Sequence, residues 1–285
     1  KSSLFTEISS TSSGIDFENT ITESYRFNLL TNEYTYMGGG VGAGDFNNDG
    51  LPDLFFTASQ TSCRLYINEG GFKFTDVTTA AGLTTKNWCT GVNIIDINND
   101  GWQDIYICVS GAINPAERKN LLYINNHNLT FTEMAATYGL DDDSYSTQAA
   151  FLDYDKDGLL DMYLLTHQMY GESINRVAPK DLSGNSPRND QLYHNEGVNA
   201  KTGQPYFKNT TLQAGVKEDG YGLGIVVSDL NGDNWPDIYV SNDYIGNDCM
   251  WINQQNGTFK NTIAQSLNHQ SYSSMGADAA DINND

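Results

Sequence analysis

One nine-residue pattern recurs along the chain and limits what it can fold into. It occurs first as Asp45-Phe46-Asn47-Asn48-Asp49-Gly50-Leu51-Pro52-Asp53. It returns at Asp96–Asp104, Asp153–Asp161 and Asp229–Asp237, and a fifth copy begins at Asp281. Side-chain oxygens stand at positions 1, 3, 5 and 9, and the first three copies carry Gly at position 6. Oxygen-only donors at alternate positions around a sharp turn suit a hard cation, Ca²⁺ above others. The expected side-chain ligands are Asp45, Asn47, Asp49 and Asp53; Asp96, Asn98, Asp100 and Asp104; Asp153, Asp155, Asp157 and Asp161; Asp229, Asn231, Asp233 and Asp237; and Asp281, Asn283 and Asp285. Position 7 adds a backbone carbonyl from Leu51, Trp102, Leu159 and Trp235. About four to five Ca²⁺ ions follow, one per loop.

These loops are not EF-hands. An EF-hand closes on a Glu at position 12 between two helices, whereas position 12 here is Phe56, Ile107, Leu164 or Val240. The closing ligand is therefore expected at position 9. A turn that binds nothing is the plainer reading of Asp- and Asn-rich sequence, but carboxylates this crowded repel one another unless a cation sits among them. Asn234 replaces the glycine in the fourth loop, and Asn tolerates positive φ.

Around each loop lie short runs without helical period: small and apolar residues before it (Gly40–Gly44, Gly91–Ile95, Gln148–Leu152, Gly224–Ser228) and β-branched or aromatic residues after it (Leu54–Thr57, Ile105–Val109, Met162–Leu165, Ile238–Ser241). A third run follows the form Leu65-Tyr66-Ile67-Asn68, and a fourth the form Phe74-Thr75-Asp76-Val77. Four strands per unit, with loop starts 51, 57, 76 and 52 residues apart, describe the blades of an all-β propeller with a metal loop between the first two strands of each blade. No amphipathic stretch long enough for a βαβ crossover intervenes. The expected units are blade one at 38–83, blade two at 88–140, blade three at 146–216, blade four at 221–265 and the start of a fifth at 272–285. Residues 4–15 repeat the fourth-strand signature, as Phe5-Thr6-Glu7-Ile8 and then Gly14-Ile15, and are expected to supply an orphan outer strand, at residues 4–8, that closes the last blade. Two stretches break the pattern, 16–37 and 166–190. The second is either a binding loop or a surface loop without a role.

The net charge is −21, and fifteen of the 36 acidic residues sit in the five loops. Much of the acidity is thus a metal-site signature, and the scarcity of Lys and Arg excludes nucleic acid as a partner. No apolar run reaches the ~18–20 residues of a membrane span. Cys63, Cys89, Cys108 and Cys249 match no zinc spacing. Cys63 and Cys89 could pair, while Cys108 reads as a buried thiol. Gly38, Gly40 and Ala43 brush a dinucleotide fingerprint but lead into a metal loop rather than a helix. His127, His167, His194 and His269 are scattered, and His167 alone stands at the head of an insertion.

The combined pattern, the metal loop followed by L-Y-x-N and F-T-D-V-T-x-x-A-G-L, resembles FG-GAP/VCBS repeats. It is most similar to propellers that precede an ASPIC/UnbV domain in the cartilage acidic protein-like group, and more distantly to integrin α heads. The resemblance runs from Leu4 over nearly the whole chain. It implies a calcium-bearing propeller of seven blades, secreted or anchored at the cell surface or outer membrane, and it names no ligand. The expected role is a protein- or glycan-binding or scaffold module, part of a larger outer-membrane or cell-surface assembly, with the recognition site on one propeller face. The runner-up is a calcium-dependent polysaccharide lyase, which would need basic and aromatic groups such as Arg118, Lys119, His167, Arg176 and Lys180 to converge beside an open metal position.

Overall fold

The computed structural model of the chain describes residues 4–25, 27–31, 34–111, 113–167, 179–244 and 246–282. Among the described residues sixteen strands make four antiparallel sheets, each in simple sequential order. Blade one holds β1 (Val41–Gly44), β2 (Asp53–Phe56), β3 (Arg64–Asn68) and β4 (Phe74–Asp76). Blade two holds β5 (Trp88–Ile95), β6 (Asp104–Ser110), β7 (Leu121–Asn125) and β8 (Phe131–Glu133). Blade three holds β9 (Ser146–Leu152), β10 (Asp161–Thr166), β11 (Gln191–Val198) and β12 (Pro205–Asn209). Blade four holds β13 (Gly222–Ser228), β14 (Asp237–Asn242), β15 (Cys249–Asn253) and β16 (Phe259–Asn261). The fold is all-β, and the four sheets are the blades of a partial β-propeller.

The second strand of each blade shows why the apolar runs are unbroken. Side chains alternate across a strand, and here both faces are buried. Ile105, Ile107 and Val109 of β6 enter the core shared with blade one, whereas Tyr106 and Cys108 enter the core shared with blade three. In β10, Met162 and Leu164 point back to blade two while Tyr163 and Leu165 face blade four. Three cores result, one per junction between blades. Each fully buried Leu, Ile or Phe contributes about 1.5–3 kcal/mol.

Hydroxyl groups join the innermost strands where they leave the metal loops behind. Thr57 Oγ1 donates to Thr90 O at 2.5 Å, Thr90 Oγ1 to Ser146 O at 2.9 Å and Thr147 Oγ1 to Gly222 O at 3.2 Å. Beyond β13, Gly276 and Ala277 come so close to Gly224 that an added Cβ would meet them at 2.9 and 3.1 Å. Residues 276–282 have no strand hydrogen bonding of their own.

After the fourth strand of each blade comes a four-residue helix. α1 (Ser10–Ser13) precedes blade one; α2 (Thr78–Ala81), α3 (Ala135–Tyr138), α4 (Thr211–Ala214) and α5 (Ile263–Ser266) end blades one to four. The first four helices stop at a left-handed glycine: Gly14, Gly82, Gly139 and Gly215. Each glycine faces the backbone carbonyl of the outer-strand Phe in the following blade, Phe74, Phe131, Phe207 and Phe259 respectively. A Cβ at Gly14 or Gly139 would approach that oxygen to 2.4 or 2.5 Å. Residues 10–14 therefore sit on blade one as each blade's tail sits on the next. The strand expected at residues 4–8 does not form, however, and Leu4 and Phe5 are exposed. A strand needs a neighbour to hydrogen-bond with, and none of the described strands pairs with it.

The four cysteines are buried free thiols. Cys63 and Cys89 share the core between blades one and two as neighbouring thiols, and Cys108 is fully buried as expected.

Candidate metal centres and the opposite face

The four complete loops share one hydrogen-bond plan. Position 1 accepts the backbone N–H groups of positions 5 and 6, illustrated by Asp45 with Asp49 N (3.0 Å) and Gly50 N (2.8 Å), and by Asp96 with Asp100 N (2.9 Å) and Gly101 N (2.8 Å); in the fourth loop Asp229 also accepts Gly232 N at 2.8 Å. Position 5 accepts from position 7, as in Asp49 with Leu51 N and Asp157 with Leu159 N, both at 2.8 Å. Two residues per loop need positive φ. The first three loops use Asn48, Asn99 or Lys156 at position 4 and Gly50, Gly101 or Gly158 at position 6. The fourth exchanges the two types: Gly232 takes position 4 and Asn234 takes position 6 with φ 67°.

Position 9 holds the loop to the blade. Asp53, Asp104, Asp161 and Asp237 are fully buried. One oxygen of each accepts the N–H of position 2, from Phe46, Ile97, Tyr154 or Leu230, at 2.9–3.2 Å. The other accepts the N–H of Asn68, Asn125, Asn195 or Asn253 in the third strand at 2.8 Å. The same four asparagines donate Nδ2 to the carbonyl of position 8 at 2.9–3.2 Å. Sequence reasoning assigned position 9 to metal closure and overlooked this stapling role. The recurring L-Y-x-N was the available signal. Burial pushes the Asp104 and Asp161 carboxyls up to about 7, against the lowering pull of those N–H donors, and moves Asp53 and Asp237 in the same direction. A cation beside them reverses that pressure.

The donor set of the third loop fits a divalent ion. In the third loop, Asp153, Asp155 and Asp161 bring carboxylate oxygens within 4.8 Å of one another. Loops one, two and four have Asn at position 3, and its Nδ2 donates to the position-5 carboxylate at 2.9–3.0 Å. Asp155 cannot donate, and there His194 Nε2 lies 3.0 Å from its Oδ2. His127 Nε2 stands 3.0 Å from Asp100 Oδ2 while its ring stacks on Trp102 at 4.8 Å. Two of the scattered histidines are thus partners of the metal loops, a placement sequence spacing did not reveal. Asp281 of the fifth loop is among the described residues; Asn283 and Asp285 lie outside them.

The strands' other ends carry everything that does not repeat. Here the segment 16–37, the links between second and third strands and the insertion after β10 meet. His167 is 4% exposed. Its ring lies 4.2 Å from Tyr34, 5.5 Å from Tyr221 and 6.4 Å from Tyr244. Neither ring nitrogen finds a hydrogen-bond partner among the described residues, and burial lowers its pKa to about 4. Tyr34 Oη donates to Asp243 Oδ2 at 2.5 Å, and Arg188 covers Tyr221 while pairing with Asp219 at 2.6 Å. The other basic groups named from sequence are committed locally. Arg118 lies 4.1 Å over Tyr145, Lys119 pairs with Asp141 at 2.5 Å, and Lys180 reaches Cys249 Sγ (3.3 Å) and Glu218 (3.5 Å). Arg176 lies outside the described residues. Arg118, Lys119, His167 and Lys180 therefore stand at the ends of the strands away from the loops.

Fold and loops together define a partial β-propeller built from repeats that each carry an Asp- and Asn-rich loop between the first two strands. In agreement, residues 45–107 and 229–285 match the FG-GAP-like repeat family. No curated protein matches the chain. Among solved structures it is similar to an Agrocybe aegerita lectin whose structure concerns recognition of non-reducing terminal N-acetylglucosamine (18% identity, TM-score 0.42, 82% of this chain and 55% of that one). It is also similar to the V. cholerae biofilm matrix protein Bap1 (14% identity, TM-score 0.30, 77% of this chain and 38% of that one). The chain spans less than two thirds of either. Among the described residues no helix is long and apolar enough to cross a membrane.

Proposed function

We propose that this chain is part of a calcium-stapled β-propeller that acts outside the cell or at its surface as a binding module for a glycan or protein. Ca²⁺ would be held by positions 1, 3, 5, 7 and 9 of each loop, one ion per loop, and would neutralise carboxylates that burial otherwise disfavours. The observation that carries the reading is the division between two faces. One face bears four near-identical closed loops. The other gathers the aromatic side chains and the non-repeating connections, where recognition usually resides. We further propose that residues 10–16 take the place of a blade's tail in a larger ring. Tyr66 Oη donates to Asp16 at 2.9 Å much as Tyr193 Oη donates to Asp142, in the tail of the preceding blade, at 2.5 Å.

The test combines calcium titration of chelator-treated protein with an array of glycans and extracellular proteins. Substitutions of exposed side chains on the non-repeating face should abolish binding and leave calcium stoichiometry and melting temperature unchanged. Loss of binding on substituting exposed loop-face side chains, with melting unchanged, would sink the assignment of faces.

The cluster of His167, Tyr34, Tyr221, Tyr244 and Arg188 supports a second reading, a polysaccharide lyase. An unsaturated product released from acidic polysaccharide, and lost in His167→Gln, would establish it.

A further inference from the structure

Blades two to four share an aromatic position just before or at the start of their first strand, and its cover differs between them. Tyr145 in blade three lies under Arg118, and Tyr221 in blade four lies under Arg188, each arginine coming from the second-to-third-strand link of the preceding blade. Trp88 holds this position in blade two. The link that should cover it, residues 57–63, is short and contains no arginine. A cleft of about 630 Å³ lies there instead, within the range of about 300–1,000 Å³ typical of small-molecule sites.

The walls are fixed by the fold. The Trp88 indole lies on Gly111, whose φ is 76°; a Cβ there would come within 2.6 Å of the ring. Phe27 closes the other side at 4.7 Å with its plane tilted by 53°, so the two rings form a wedge rather than a stack. Gln60 holds the Phe27 segment in place: its Oε1 accepts Thr22 N at 2.7 Å and its Nε2 donates to Thr22 O at 3.2 Å. Asn87 Nδ2 donates to Glu117 O at 3.1 Å, and Glu117 Oε1 accepts from Asn114 at 3.1 Å. Asn87 Oδ1 and Glu117 Oε2 thus have no partner among the described residues, and neither has the exposed ammonium of Lys86. The cleft offers an aromatic floor with both a donor and acceptors at its rim.

We propose that this cleft between the first two blades, walled by Trp88 and Phe27 and rimmed by Lys86, Asn87 and Glu117, binds a pyranose residue of a glycan. The two rings touch, with centroids 4.7 Å apart, so a pyranose lies not between them but along the surface they both show to the cleft, its apolar C–H face on aromatic carbon and its hydroxyls, which both donate and accept, towards the rim. A guanidinium from a protein partner would also cover Trp88, as Arg118 and Arg188 cover their tyrosines. It carries donors only, however, and would meet Lys86 at the rim. The inference rests on the reading of the non-repeating face as the binding face and narrows it to one cleft and one ligand class.

The test uses the whole chain with calcium on an array of neutral and uronic-acid glycans, followed by tryptophan-fluorescence titration of the best oligosaccharide. Trp88→Ala should weaken binding at least tenfold, Trp88→Phe less, and Asn87→Ala several-fold. Lys86→Ala should weaken uronic-acid glycans alone, which separates the two sugar classes. If Trp88→Ala fails to fold, Asn87→Ala and Glu117→Gln, both outside the strands, carry the test. A glycan bound equally well by wild type and all cleft variants overturns the cleft and leaves the binding module standing. Absence of any glycan binding, or displacement of a bound protein by free arginine but not by sugars, overturns the pyranose assignment.

Discussion

The two ends of the strands obey different rules. At the metal-loop end the same contacts recur in every complete blade, down to which oxygen of the position-9 carboxylate accepts which N–H. At the other end the threonine ties recur, as does an aromatic position in blades two to four, but the connections differ and so does the cover of that position: Phe27 beside Trp88, an arginine over Tyr145 and over Tyr221. Repetition marks the end whose task is the same in every blade. Variation marks the end free to become specific.

If the loop end is a set of filled metal clasps, chelation should have the largest effect of any treatment. Each site at 100-fold excess over its Kd contributes about 2.7 kcal/mol, so excess chelator should lower the melting temperature by roughly 10 °C or more, and Ca²⁺ should restore it. No shift would mean the loops are held by hydrogen bonds alone.

Asp161→Ala comes next. It leaves two buried N–H groups, of Tyr154 and Asn195, without acceptors, at about 1–3 kcal/mol each. Melting should fall by roughly 5–15 °C, and part of the loss should persist in chelator. If chelator erases the difference, the carboxylate serves the ion only and the staple is dispensable.

The non-repeating end should be the acid-sensitive one. His167 titrates at about 4 in the folded chain against an ordinary 6.5, so between those values the unfolded chain binds a proton that the folded chain refuses. Its contribution is complete above pH 6.5 and is lost as the pH falls towards 4, by roughly 3 kcal/mol at most. Asp190, buried and pushed up to about 7, acts in the opposite sense over the same range. The quantity to follow is therefore the difference in melting temperature between wild type and His167→Gln. It should move in favour of the variant as the pH falls from 7 to 4, and a difference independent of pH would show that His167 is not held neutral.

The smallest effect tests contact between neighbouring loops. Lys156 Nζ lies 4.6 Å over the Trp235 ring, a cation–π contact of about 0.5–1 kcal/mol at an exposed site. Lys156→Ala should cost roughly 1–3 °C in melting, and no change would mean that the third and fourth loops act independently.

The loops, the strands and the order of the blades were legible in the sequence because they depend on neighbours a few residues apart. Asn234 shows how far this reaches: its side chain type foretold the positive φ it adopts. Contacts between distant residues were not legible. Tyr34 meets Asp243 across 209 positions, and nothing in either local sequence points to the other. His194 and His127 sit at different offsets from their third-strand asparagine, so alignment on the repeat could not bring them to the loops. The shared position of Trp88, Tyr145 and Tyr221 was hidden because it lies three residues ahead of the glycine or glutamine that begins the recognised pattern.

The threonine bridges have a mechanical consequence. Blades one to three are each tied to the next at one rim through Thr57, Thr90 and Thr147. Asn125 and Asn253 also reach at the other rim into the preceding blade's loop, at Phe46 O and Tyr154 O. Blades one and two, and likewise three and four, are thus pinned at both rims and cannot tilt against each other without breaking bonds at both. With both rims fixed, tilt of one blade is resisted along the whole length of its strands. An ion seated in a loop would stiffen the far rim as well as its own.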